Sequence, residues 1–177
     1  MINKKIEEAI NNQINAEIYS AYLYLSMSAY FQNRGLKGFA HWMEVQTAEE
    51  FGHARKFYTY LFDRGGRVLM KPIEGPATDW KSPENVFEEV LKHEQKVTGL
   101  INELVNLAIA EKDHASNAML QWFVTEQVEE EASALEILDE LKLIGNDGNG
   151  LLMKDRELGG RALNPLLFAG LAGPATA

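Results

Sequence analysis

The chain has 177 residues, 46% of them hydrophobic and 24% charged, which is one ordinary globular domain with enough length to bury a core. There is no cysteine, so disulfides, thiolate catalysis, iron–sulfur ligation and Cys-based zinc sites are excluded. A net charge of −9 argues against a nucleic-acid partner, which demands a basic footprint, and favours attraction of cations.

The N-terminus, Met1 to Glu8, carries no apolar signal core, and no apolar run approaches membrane-spanning length. The expected location is the cytoplasm. The first helix is predicted from about Lys5 to Gln32, with a 3.6-period stripe through Ile6, Ile10, Gln13, Glu17, Ser20, Tyr24, Met27 and Phe31. Asn33-Arg34-Gly35 forms a tight turn, with Gly35 suited to a left-handed cap. A second helix follows from about Leu36 to Arg64, striped by Phe39, Met43, Gln46, Glu50, His53, Phe57 and Leu61.

From Gly65 to Lys81 the glycines and prolines predict an irregular connection. Extended, it covers roughly 55 Å at about 3.3 Å per residue. A 28-residue helix is roughly 40 Å long. The connection can therefore run the length of a bundle, which makes the second and third helices parallel. The third helix begins at the cap Ser82-Pro83 and carries Phe87, Val90, Glu94, Val97, Ile101, Leu104 and Ala108. After a break near Lys112-Asp113-His114 the fourth carries Leu120, Phe123, Gln127, Glu130, Ala134, Ile137 and Leu141. Gly145 to Gly150 ends it. A short helix is expected over about Leu151–Leu158, followed by an uncharged tail from Ala162. The expectation is all-α: a four-helix bundle with one long crossover over residues 1–145, then a short C-terminal helix and apolar tail over 146–177.

Two polar triplets lie on these stripes at one spacing: Glu17, Glu50, His53 and Glu94, Gln127, Glu130. In each the second member follows the first by 33 residues and the third follows by three more, and the sets are offset by 77. Glu17 and Glu50 stand nearly equidistant from their turn, as do Glu94 and Gln127 from theirs, so each hairpin returns its polar groups to one height. Four carboxylates, Glu17, Glu50, Glu94 and Glu130, would place −4 at one buried point with no Lys or Arg on the stripes beside it. Unpaired buried carboxylates cost several kcal/mol each. Two divalent cations cancel that charge, and an oxygen-rich set with one imidazole suits iron or manganese better than copper.

The strings Gln13-Ile14-Asn15-Ala16-Glu17, Glu49-Glu50-Phe51-Gly52-His53-Ala54 and Glu126-Gln127-Val128-Glu129-Glu130 resemble those of the non-haem bacterial and archaeal ferritins. The resemblance covers about 145 residues. It implies a ferritin-like bundle that assembles with itself into a hollow cage of 24 subunits, oxidises Fe2+ with O2 and stores Fe3+ mineral. It assigns Glu17, Glu50, His53 and Glu94 to the first iron and its bridge, and Glu94, Gln127 and Glu130 to the side of the second, with Glu50 spanning the pair. Glu49, Glu126, Glu129 and Glu130 resemble a third iron position toward the cavity; the alternative is a solvated acidic lining. Tyr24, two turns after Glu17, resembles the family's redox-active tyrosine or is an ordinary core tyrosine. No haem is expected. Gln127-Val128-Glu129-Glu130 stands where bacterioferritins repeat Glu-x-x-His, and no methionine matches a haem ligand. A di-iron oxidase of an organic substrate and a purely structural cage subunit are the competing readings; subunits of the latter kind lack the ligands kept here. His93 should point away from Glu94, and His41, His114, Trp42 and Trp122 read as surface or packing groups. The apolar tail is expected to serve assembly.

Overall fold

The computed structural model describes residues 2–163 and holds five helices among them: α1 Lys4–Asn33, α2 Lys37–Asp63, α3 Pro83–Ala110, α4 His114–Ile144 and α5 Gly148–Leu158. Each start has a local cause. The side chain of Asn3 accepts from Lys5 N at 2.8 Å, Ser82 Oγ from Asn85 N at 3.1 Å, and Asp113 Oδ1 from Ser116 N at 3.1 Å. Pro83 takes the first turn of α3, where no N–H is needed. Gly35, at φ +76°, closes the α1–α2 turn as expected.

α5 begins earlier than the sequence suggests. The run Gly145 to Gly150 reads as a break, yet Asp147 accepts from the N–H groups of both Asn149 and Gly150 at 3.1 Å and starts the helix inside it. The expected docking of the tail from Asn164 onward lies outside the described residues.

The crossover from Arg64 to Ser82 is strapped along α1 by α1's own polar side chains. Glu7 Oε1 accepts from Arg67 N at 2.7 Å, and Asn11 accepts from Leu69 N at 2.7 Å while donating to Arg67 O at 2.9 Å. Farther along, Asn15 donates to Pro72 O at 3.2 Å and Ser26 to Ala77 O at 2.6 Å, and Trp80 packs edge-on against Tyr30 at 5.3 Å. The contacts ascend in order along both segments, so the crossover runs in the direction of α1. It starts where α2 ends, beside the start of α1, and delivers α3 at the other end. α2 and α3 are therefore parallel, and α1/α2 and α3/α4 are antiparallel hairpins. Arg64 closes the far end by donating to both carboxylate oxygens of Asp113 at 3.1 Å, which joins the end of α2 to the cap of α4.

The apolar interior falls into two parts. One end packs Phe31, Phe39, Trp42, Phe87 and Trp80; the other packs Ile6, Ile10, Phe57, Ile101 and Phe123. Phe57 and Phe123 stack at 4.0 Å in the second. Between the two lies a buried polar layer.

α5 folds back on the start of α2. Asp155 Oδ1 accepts from Gly38 N at 2.8 Å and Phe39 N at 3.0 Å, so α5 caps a helix whose own N-cap, Leu36, has no side chain to do so. The approach is close enough that a Cβ on Gly38 would lie 1.5 Å from Asp155 O. Gly38→Ala should therefore undock α5 and lower stability by about 1–3 kcal/mol, the usual cost of overpacking. Guanidinium unfolding of the metal-free protein measures it; an unchanged midpoint would show that α5 adds nothing to the bundle.

Candidate metal centre

All six stripe positions converge on the buried layer. Glu17, Glu50, His53 and Glu94 are 1–2% exposed, Gln127 4% and Glu130 8%. Ligand atoms of Glu17, Glu50 and His53 lie within 4.8 Å of one another, and so do those of His53, Glu126 and Glu130, so the imidazole belongs to two groupings. Its Nδ1 faces Glu50 Oε2 at 3.6 Å and its Nε2 faces Glu126 Oε1 at 3.7 Å. One turn of α2 between Glu50 and His53 aims both inward.

Three of the four carboxylates are oriented by neutral side-chain donors. Gln13 donates to Glu17 at 2.9 Å, Gln46 to Glu130 at 2.5 Å, and Gln127 to Glu94 at 3.2 Å. The Tyr24 hydroxyl, fully buried, also donates to Glu94. The opposite atoms are left over: Glu17 Oε2, Glu50 Oε2 and His53 Nε2 are buried and have no hydrogen-bond partner. Buried polar atoms are ordinarily satisfied. Orphaned carboxylate oxygens beside an imidazole are what a cation would satisfy, and the donor set of carboxylates with one imidazole fits iron. Gln13 and Gln46 went unread in the sequence. For Gln13 the signal was there, since it precedes its carboxylate, Glu17, by four residues on the core stripe; the partner of Gln46, Glu130, lies 84 residues away on another helix.

The protonation pattern shows the cost of this cluster without metal. Burial, reinforced by Glu50, raises Glu17 to about 8. Burial and Glu130 raise Glu94 to about 8, and burial and Glu50 raise Glu130 to about 8. Burial raises Glu50 as well, against the opposing pull of His53. For His53, burial would lower the pKa, but Glu126 and Glu50 outweigh it and hold the imidazole well above its usual value. Protons thus take the place that cations would fill. Tyr24 is pushed well above its ordinary value by burial and then by Glu94, and so remains a donor.

The remaining sequence candidates divide. Glu126 is half-buried beside His53, whereas Glu129 is exposed. Glu49 is engaged by Arg161 at 2.5 Å. His93 points away from the layer as expected, with Nε2 2.8 Å from Ser20 Oγ and its ring packed 6.0 Å from Tyr19 and 6.1 Å from Tyr24. Burial, then Lys96, lowers it to about 4, so it is neutral. Trp122 packs edge-on against His53 at 5.5 Å, and Trp42 packs at a tilt against Phe87 at 5.2 Å. His41 Nε2 meets Arg161 O at 2.9 Å.

A one-crossover bundle whose midsection gathers carboxylates and an imidazole from its long helices is a protein of ferritin-like architecture. Residues 7–144 match the ferritin-like domain family. The bacterial non-heme ferritin of Bacteroides fragilis is 47% identical over 91% of this chain and all of its own length, and that of Campylobacter jejuni 40% identical over 93% and 98%. Among solved structures, an open-pore ferritin of the hyperthermophilic archaeon Archaeoglobus fulgidus superposes with a TM-score of 0.91 at 54% identity, covering 92% of this chain and all of that one. A form of the same archaeal ferritin engineered to be closed gives 0.92 at 54% identity, covering 93% and all. The chain belongs to the ferritin family.

The raised carboxylates fix a pH dependence. In the unfolded chain they titrate near 4.5; in the folded, metal-free chain three titrate near 8. The stability they contribute is complete below the unfolded value and is lost as pH rises through about 8, and His53 changes in the same direction. The unfolding midpoint of the metal-free protein should therefore fall between pH 6 and pH 9, and fall less in Glu94→Gln. A wild-type midpoint that rises over this window would contradict the buried cluster.

Proposed function

We propose that the chain is the subunit of an iron-storage cage that oxidises Fe2+ with O2 at an intra-subunit pair of iron positions and keeps the Fe3+ as mineral inside. The observation that carries the reading is that Glu17, Glu50 and His53 bring ligand atoms within 4.8 Å of one another, with Glu17 Oε2 and Glu50 Oε2 left without hydrogen-bond partners, in a layer where carboxylates from four helices converge. Family membership supports iron storage, assembly of 24 copies and a cytoplasmic location. Among the described residues no helix is long and apolar enough to cross a membrane.

In this reading Fe2+ is the substrate. Glu17, Glu50 and His53 receive the first ion and Glu94 and Glu130 the second, with Glu50 between them and Gln127 orienting Glu94. Each Fe2+ loses one electron to O2, and the clustered negative charge favours Fe3+ over Fe2+. The protons that the metal-free carboxylates hold leave as the cations arrive. Tyr24 keeps a hydroxyl on Glu94 and holds that carboxylate in one orientation. Glu126, with Glu49, Glu129 and Glu130, forms a third, inward position. Its support is the second grouping around His53, whose Nε2 lacks a hydrogen-bond partner and faces Glu126. Residues 1–145 act as the metal-handling bundle and 146–177 as an assembly element.

Glu50→Ala and His53→Ala should each slow stopped-flow Fe2+ oxidation by more than about tenfold, the lower bound that even an outer hydrogen-bond partner of a metal ligand carries. Both should still elute as full-size assemblies. Glu50→Gln, which relieves repulsion without opening a cavity, should leave the metal-free protein at least as stable as the wild type. Oxidation at the wild-type rate in Glu50→Ala or His53→Ala would refute the assignment.

Carboxylate excess beyond two ions generates a separate expectation. Glu49→Gln combined with Glu126→Gln should lower the number of Zn2+ bound per subunit from three to two in calorimetric titration. An unchanged count would reduce these residues to a solvated lining.

A further inference from the structure

Arg161 follows α5 and reaches back to the rim of the polar layer. One guanidinium nitrogen donates to Glu49 Oε2 at 2.5 Å, and the other to Gln46 Oε1 at 2.7 Å and Trp42 O at 3.5 Å. The guanidinium lies 4.4 Å from the centre of the Trp42 ring, and His41 holds the residue's backbone carbonyl at 2.9 Å. Gln46, fully buried, passes the contact on, because its amide nitrogen donates to Glu130 Oε2 at 2.5 Å. Arg161 thus touches one carboxylate of the third position, Glu49, directly and another, Glu130, through a single amide. The arrangement is built rather than incidental. It uses both nitrogens of a planar fork, an aromatic platform and a pinned backbone, and the Arg161 and Glu49 side chains are only 23% and 13% exposed.

Glu126, near enough for its charge to oppose the ionisation of Glu49, makes no ion pair with Arg161 and is left to the unpartnered Nε2 of His53. Burial raises the pKa of Glu49, and Arg161 is first among the groups that oppose the rise. The fixed positive charge therefore already stands where a third cation would compensate Glu49.

We propose that Arg161 is an internal counter-cation at the third metal position, so that a metal ion shared by Glu49 and Glu126 must displace the guanidinium from Glu49. This rests on the third-position reading above and adds its regulation: the third ion is held more weakly than the first two because it competes with the chain's own cation. Occupancy of that position is thereby linked to the segment that follows α5. The linkage is reciprocal, so whatever holds that segment against α2 weakens the third ion, and the third ion loosens the segment.

The test is calorimetric titration of the assembled, metal-free protein with Zn2+, a redox-inert probe. In the wild type the first two ions per subunit bind tightly and the third weakly. Arg161→Gln should raise the affinity of the third ion on the order of tenfold, within the usual range of such couplings, and change the first two by less than about threefold. In a Glu49→Gln background the same substitution should have no effect, because the charge it competes for is gone. Arg161→Lys, which keeps the charge but loses the fork, should give a smaller rise of the same sign and serves if the glutamine variant does not assemble. An unchanged third affinity in Arg161→Gln, or a rise that persists with Glu49→Gln, would overturn the proposal. If Glu49→Gln with Glu126→Gln loses no ion, the third-position reading falls instead; if the ion is lost there but Arg161 does not affect it, only the counter-cation falls.

Discussion

The structure is organised around repulsion. Four carboxylates are placed in the interior of a helical bundle, at the level where hydrophobic packing would otherwise be continuous, and they divide the core into two apolar ends. Burial disfavours their ionised forms, and their proximity disfavours them further. The rest of the fold tolerates this because the two ends are aromatic-rich and densely packed, with Phe31, Phe39 and Phe87 on one side and Phe57 and Phe123 on the other.

Neutral donors give the layer its shape. Gln13 and Gln46 each occupy one oxygen of a carboxylate, Glu17 or Glu130, while Gln127 and Tyr24 hold the two oxygens of Glu94. Charged donors at these positions would have neutralised the cluster permanently. Amides and a hydroxyl orient it without cancelling the charge, so affinity for cations is retained. Without metal the deficit is met by protons, on the carboxylates and on His53. Cation affinity and proton affinity are therefore two responses to one electrostatic field.

Longer connections fix where the layer sits. The crossover must travel the length of the bundle without secondary structure of its own, and it is carried by Glu7, Asn11, Asn15 and Ser26 of α1, which satisfy backbone groups that have no ladder to join. The clamp of Arg64 on Asp113 ties the two hairpins at one end. At the other, α5 supplies the missing cap of α2 through Asp155, and Arg161 continues from there to Gln46 and Glu49. A short C-terminal element thus touches both the frame and the rim of the polar layer.

Much of this was legible in the sequence because periodicity is a local property. A 3.6-residue stripe gives a helix and its buried face, and two turns of known position give the heights at which Glu17 meets Glu50 and Glu94 meets Gln127. The length and Gly/Pro content of residues 65–81 were enough to make α2 and α3 parallel. The start of α5 was misplaced because the cap by Asp147 outweighs the glycines around it, a balance that composition does not reveal. What the tertiary structure alone decided is which atom of each side chain is left unsatisfied and which distant residue intervenes. Glu49 reads in the sequence as a carboxylate of a third metal position or of a solvated acidic lining; in the fold it pairs with Arg161, 112 residues away. A stripe specifies the face a side chain occupies. The partner it finds there depends on how separate helices pack, and that is set by the whole core at once.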